Sequence, residues 1–295
     1  MADIKKQVDR VLRDARSEPR HRAARERDAL ITAIRYGHNQ IAQRLLLEGV
    51  DPNIPDPKNR TALWYAANYA SDQGSLVREL ARRGALLPDD VLMGPVYDGD
   101  VETVRFLIRR SANVNCVATF TRYSNKFPQK QVVLTVAIEK VREDQVMRRS
   151  ERTSDLGLTI EQRAALPLDP PSARLESIPL MLIRAGAQVN RLAWEYSLFE
   201  GYRRTTLGLA AHYGHINTVR AMLAAGADVN LRDTWGGNAL IDAAWEGHRK
   251  VVRILLEAGA NAKLKRKDGV TAVLAAQQHG FTELANDIER YSKSG

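Results

Sequence analysis

Glycines recurring at a fixed interval constrain this chain more than any other feature. Gly214, Gly247 and Gly280 lie 33 residues apart, and Gly226 and Gly259 keep the same interval at a second point of the pattern. Two landmarks sharing one period imply tandem supersecondary units stacked on one another rather than a single core. The best copy, DTWGGNALIDAAWEGHRKVVRILLEAGAN from Asp233 to Asn261, shows what one unit contains. Leu240, Ala243 and Ala244 fall at helical spacing on a first helix, and the alanines are small enough for adjacent units to approach closely. Val251, Val252, Leu255 and Leu256 give a second helix an i, i+1, i+4, i+5 apolar stripe. Gly247 separates the helices and Gly259 suits the left-handed residue that ends the second one. Neither helix buries its stripe alone, so stacking is obligatory.

This copy, with TTLGLAAHYGHINTVRAMLAAGADVN from Thr205 to Asn230, resembles the ankyrin consensus D-x-x-G-x-T-P-L-H-x-A-A-x-x-G-H-x-x-V-V-x-x-L-L-x-x-G-A-D-V-N. The resemblance implies an all-α repeat solenoid of about seven helix-turn-helix units with β-turn fingers. Degenerate copies extend it over residues 28–291, with units at 28–55, 56–88, 89–115, 116–190 (carrying an insertion at 142–173), 191–230, 231–262 and 263–291, and a tail at 292–295. Residues 1–27 place Ile4, Val8, Val11, Leu12 and Ala15 on one helical face, which fits either an amphipathic capping helix or a basic arm.

Three departures set this chain apart. Asn230 to Leu240 takes 10 residues, whereas Asn190 to Leu207 takes 17 and Asn115 to Leu134 takes 19, so two adjacent fingers are lengthened. One alternates Leu192, Trp194, Tyr196 and Leu198 at the strand period; the other has strand-like flanks around Ser124 and Asn125. The pair can form a small β extension built of β-hairpins, whose aromatics either pack the two fingers on each other or project as a contact surface. The insertion opens with VREDQVMRRSERT, which can prolong the preceding helix, and continues through Pro167, Pro170 and Pro171 as a non-helical return. Pro179 falls inside the next expected helix, which should start late or kink there.

The signals for chemistry are weak. His38, His215 and His248 occupy the Gly-His site, where the resemblance implies a structural role tying turns together. There is no glycine-rich phosphate loop, nucleophile elbow or zinc HExxH motif. The expectation is a protein that is not an enzyme and takes no cofactor and no metal. With Cys116 as the single thiol, a disulfide framework is excluded and a reducing compartment is expected, cytoplasmic or, in a eukaryote, nuclear. Neither a secretory signal nor an apolar stretch of about 20 residues is present, so no membrane partner is expected.

What the resemblance assigns to binding are the finger tips and the two residues before each Gly-His pair. The pairs here are Arg35 and Tyr36, Asn68 and Tyr69, Tyr97 and Asp98, His212 and Tyr213, Trp245 and Glu246, and Gln278 and His279. Tyr36, Tyr69, Tyr97, Tyr213 and Trp245 form an aromatic series of the kind that dominates interfaces, with interior packing between units as the alternative. The fingers add Lys58, Arg60, Arg122, Lys126, Arg203, Arg204, Arg232, Lys265, Arg266 and Lys267, and Trp194, Tyr196 and Trp235 lie among them. A net charge of +9 adds attraction to acidic partners. An acidic protein bound by an adaptor or inhibitor is the first expectation; a nucleic acid held by stacking and phosphate contacts is the alternative. A monomer is expected unless the aromatic fingers self-associate.

Overall fold

The computed structural model describes residues 9–10, 13, 21–69, 74–120, 129–153, 159, 162, 171–194 and 202–294. The face assigned to residues 4–16 falls almost wholly outside them. Two compact units divide the chain, Met1–Cys116 and Val117–Gly295.

In the first unit, helices pair as α1 (Arg22–Arg35) with α2 (Asn39–Leu47), α3 (Ala62–Tyr69) with α4 (Gly74–Arg82), and α5 (Met93–Asp98) with α6 (Val101–Arg109). The first helices stack in a row, α1 on α3 on α5, and α4 packs on α6. The apolar periodicity explains the arrangement: Leu45, Leu46, Leu76, Leu80, Val104 and Leu107 are buried on the second helices, and Ala62, Ala66 and Ala67 on a first helix. Asp100 caps α6 through its carboxylate, which accepts the Thr103 amide at 3.1 Å.

The second unit opens with strand β1 (Val117–Phe120) antiparallel to β2 (Gln129–Val132), with Val117 opposite Val132. Helix α7 (Val133–Thr153) follows and packs on α8 (Ala173–Arg184). At 21 residues α7 is three times the length of the other first helices here, because the opening of the insertion continues the helix. Strands β3 (Leu192–Trp194) and β4 (Arg203–Thr205) pair antiparallel, with Trp194 opposite Arg203. Then come α9 (Thr206–His212) with α10 (Ile216–Ala224), α11 (Ala239–Trp245) with α12 (Arg249–Glu257), and α13 (Ala272–Gln278) with α14 (Thr282–Ser294). Here too the first helices stack, α9 on α11 on α13, and the second helices stack behind them. Both long fingers therefore have paired strands at their bases, while their tips, residues 121–128 and 195–201, lie outside the described residues.

Of the two outcomes expected at Pro179, the late start is not what the structure shows. Helix α8 starts at Ala173, ahead of the proline, because the Ser172 hydroxyl caps it by accepting the Leu175 amide at 3.3 Å. Inside the helix the proline withholds the N–H that would bond the carbonyl four residues back, and its ring crowds that carbonyl.

Consecutive fingers are joined by a device not anticipated from the sequence. The Asn190 side chain accepts the Asp228 amide at 2.8 Å and donates to the Gly226 carbonyl at 3.1 Å. Asn230 does the same one unit later, with the Asn261 amide at 2.8 Å and the Gly259 carbonyl at 3.2 Å. Asn53 repeats it in the first unit with Leu86 and Gly84. Each side-chain amide thus satisfies the carbonyl exposed where a helix ends at a left-handed glycine, Gly259 having φ 87°. Replacing Asn230 with Ala removes two hydrogen bonds and should lower unfolding free energy by about 1–2 kcal/mol in denaturant titration. A loss under about 0.5 kcal/mol would show that the ladder contributes nothing beyond solvent contacts.

Candidate aromatic and cationic binding surface

In each unit, aromatics of the first helices and fingers are grouped with arginines. In the first unit the Arg60 guanidinium lies over the Trp64 ring at 4.1 Å, and the Trp64 indole N–H donates to Asp90 at 3.1 Å. Trp64, Tyr65 and Tyr69 form one cluster, with ring centroids 5.2 to 5.9 Å apart. Arg35, from the preceding helix pair, reaches over Tyr69 at 5.6 Å. Tyr36 stands 70% exposed and Tyr69 44%, while Tyr97 is half-buried. The Tyr65 hydroxyl donates to Asp56 at 2.7 Å, and burial first, then that bond, raises its pKa. Trp64 and Tyr65 lie outside the positions that the resemblance assigns to binding; Tyr65 is buried in α3, so its phenol serves the finger and not a partner.

The second unit differs. Trp235 meets Tyr202 edge-on at 5.7 Å, and the Arg266 guanidinium lies over Trp235 at 5.0 Å and Trp245 at 5.5 Å. Trp245 in turn contacts the exposed His279 ring at 4.2 Å. Exposed Glu246 reaches back to His212, its carboxylate 3.4 Å from Nδ1. Gln278 is exposed beside His279. Arg232 spans two fingers, donating to the Gly236 carbonyl at 2.9 Å and the Lys265 carbonyl at 2.7 Å. Arg203 is half-buried, its backbone joined to Thr234.

Two sequence assignments are corrected here. Tyr213, expected to face a partner, is only 8% exposed, because α7 runs on past the usual helix end and its Arg142 lies over the ring at 4.9 Å. Arg204, expected at a finger tip, is 8% exposed in β4, where Asp242 lies 3.2 Å away and the Tyr202 hydroxyl accepts from it. A cation so placed needs its counter-charge, and loss of either partner would strand the other. Arg122, Lys126 and Tyr196 lie outside the described residues, and only the backbone of Trp194 is described.

His215 and His248 fall behind this surface and are structural, whereas His38, at the same site of its unit, is exposed and makes no side-chain cap bond to its helix. His248 donates from Nε2 to the His212 carbonyl at 2.9 Å, tying one unit to the next, and packs where a Cβ on Gly214 would come within 2.8 Å of its ring. His215 is wholly buried and donates from Nε2 to Gln145 of α7 at 2.8 Å. Burial, aided by His248, pulls its pKa from the usual 6.5 to about 3. Burial likewise lowers His248, and lowers His212 well below the usual range, with Arg204 adding to it. Burial pushes the Cys116 thiol up to about 12, which makes it a poor nucleophile at neutral pH. Among the described residues no three His, Cys, Asp or Glu side chains gather as a metal site, and no helix is long and apolar enough to cross a membrane.

The sequence matches the family model for ankyrin repeats in three copies, over residues 4–88, 30–118 and 175–268. The chain belongs to the ankyrin-repeat family. No curated protein matches it. Ankyrin repeats generally mediate protein–protein interactions and are typically non-enzymatic, and the stacked helices here fit their all-α solenoid class. In this ankyrin-repeat chain the family's binding positions are divided: Trp245, Glu246, Gln278, His279, Tyr36 and Tyr69 reach the surface, while Tyr213 and Arg204 support it from within.

The depressed histidines set an acid limit. In the folded state they resist protonation, whereas the unfolded chain takes up protons below about pH 6.5, so stability is full above that value and falls as pH drops toward 3. His215→Gln, which cannot titrate, should flatten the decline in melting temperature between pH 6.5 and 4. An unchanged slope would show that His215 is not held neutral.

Proposed function

We propose that this ankyrin-repeat protein is a non-enzymatic adaptor or inhibitor that binds an acidic protein, working as a monomer in the cytoplasm. One observation carries the reading: Trp245 stands half-exposed between the Arg266 guanidinium and the exposed His279 ring. Large rigid aromatic area edged with cations is the composition of an interface centre, and neighbouring contacts already fix its geometry. The same juxtaposition recurs in the first unit, where Arg35 reaches exposed Tyr69. The non-enzymatic reading is supported by the histidines: His215 and His248 tie their turns to neighbouring units through Nε2, and burial lowers the pKa of both and of His212. The buried thiol of Cys116 fits a reducing compartment.

Binding of nucleic acid would use aromatic faces as stacking platforms. The Arg266 guanidinium already lies over one face of Trp235 and of Trp245, which leaves less ring for bases and favours the protein reading.

Affinity capture with the full chain as bait, repeated after nuclease treatment, should return a protein that survives the nuclease; disappearance of the partner would contradict the proposal. Against that captured protein, Trp245→Ala and His279→Ala should each weaken binding about ten-fold, the scale of an interface anchor. Tyr213→Ala should instead cost about 3 kcal/mol of stability as a buried aromatic. If Trp245→Ala and His279→Ala lowered only the melting temperature, this surface would be packing and not an interface.

A further inference from the structure

In the second unit, positive charge is divided between two sides of the repeat. On α12 and α14 most cations have carboxylate neighbours: Arg249 with Glu283 at 2.8 Å, Arg253 with Glu257 at 3.7 Å, Arg290 with Asp287 at 3.8 Å and Lys293 with Glu289 at 3.9 Å, exposed Lys250 being the exception. The last finger is different. From Asn261 to Lys267 its residues alternate between exposed and half-buried, and the exposed set includes Lys263, Lys265 and Lys267. Asp268, the one carboxylate of that finger, is taken by Arg266 at 3.0 Å. None of the three lysines makes an ion pair among the described residues.

Their backbone is fixed. The Lys267 amide donates to the Trp235 carbonyl at 2.8 Å, and the Arg266 amide to the Val270 carbonyl at 2.9 Å. Arg232 donates to the Lys265 carbonyl at 2.7 Å and adds an exposed charge that no carboxylate among the described residues pairs with. Inward-facing Arg266, stacked on two tryptophans, anchors the strip from behind. Uncompensated cations on a preformed backbone lose little by ordering when an anion arrives, and so serve recognition rather than folding.

We propose that Lys263, Lys265 and Lys267, with Arg232 beside them, form a docking strip for an extended acidic protein segment lying along the fingers. The assignment rests on the protein-binding reading above and names the chemistry of the partner at this edge. Extended acidic chain is favoured over single-stranded nucleic acid because the Arg266 guanidinium already lies over one face of both neighbouring tryptophans, Trp235 and Trp245, which leaves less ring for bases to stack on.

The test uses the full chain and a labelled poly-glutamate peptide, with poly-glutamine and an oligothymidylate as the other arms, read by fluorescence anisotropy at low salt. Poly-glutamate should bind more tightly than either alternative. The triple variant Lys263→Glu, Lys265→Glu, Lys267→Glu should weaken it about ten-fold or more. A variant with the same charge change on the outer helices, Lys250→Glu, Arg253→Glu, Arg290→Glu, should weaken it less than about three-fold, as screened charges at a distance do. Equal losses in the two variants would reduce the effect to net charge and overturn the strip. Tighter binding of the oligothymidylate, lost in the finger variant, would overturn the assignment to protein. Full poly-glutamate binding by a finger variant with an unchanged melting curve would overturn the strip as well. If the protein captured in the earlier experiment still bound that variant but not Trp245→Ala, the strip would fail while the protein-binding reading stood.

Discussion

Close backbone approach between successive helix pairs is the constraint from which the rest of the molecule follows. A Cβ on Gly94 would lie 1.5 Å from the Ala67 carbonyl oxygen, so α5 and α3 touch almost backbone to backbone. The alanines of the first helices, Ala210, Ala211, Ala243, Ala244, Ala275 and Ala276, are wholly buried for the same reason. At such contacts an added side chain forces the helices apart, and neither pair has another surface on which to bury its stripe. The spacing that results sets where the fingers emerge and how far apart their charges lie.

Within that spacing, polar side chains take over the work of registration. Asn190 and Asn230 carry each helix terminus into the next finger, and His248 ties a turn to the carbonyl one unit back. Arg232 and the stacked Arg266 extend the linkage to the last finger. Binding positions on this scaffold are therefore held by hydrogen bonds that repeat with the units, and the lysines of the final finger project from a backbone already fixed.

The repeat and its helices were legible in the sequence because small residues and apolar pairs are spaced by stacking itself. Thus Leu240, Val252 and Leu255, chosen by periodicity, are all buried. Surface residues were less legible, since their fate depends on elements far away in sequence. Tyr213 obeys the pre-glycine pattern, yet it is covered because α7 overruns its expected end and brings Arg142 over the ring. Arg204 looks like a finger cation, and only the fold brings Asp242 and Tyr202 to it. Lys263 carried no signal until the alternation of exposure along its finger placed it with Lys265 and Lys267.

What these observations share is a division between α12 and α14, where most cations have a carboxylate neighbour, and a finger edge whose three lysines have none among the described residues. Amide hydrogen exchange of the full chain, with and without poly-glutamate, tests that division most directly. The account predicts added protection in the fingers at 231–238 and 261–271, with α12 and α14 unchanged. Protection spread over α12 and α14, or absent from the fingers while the peptide is bound, would contradict it.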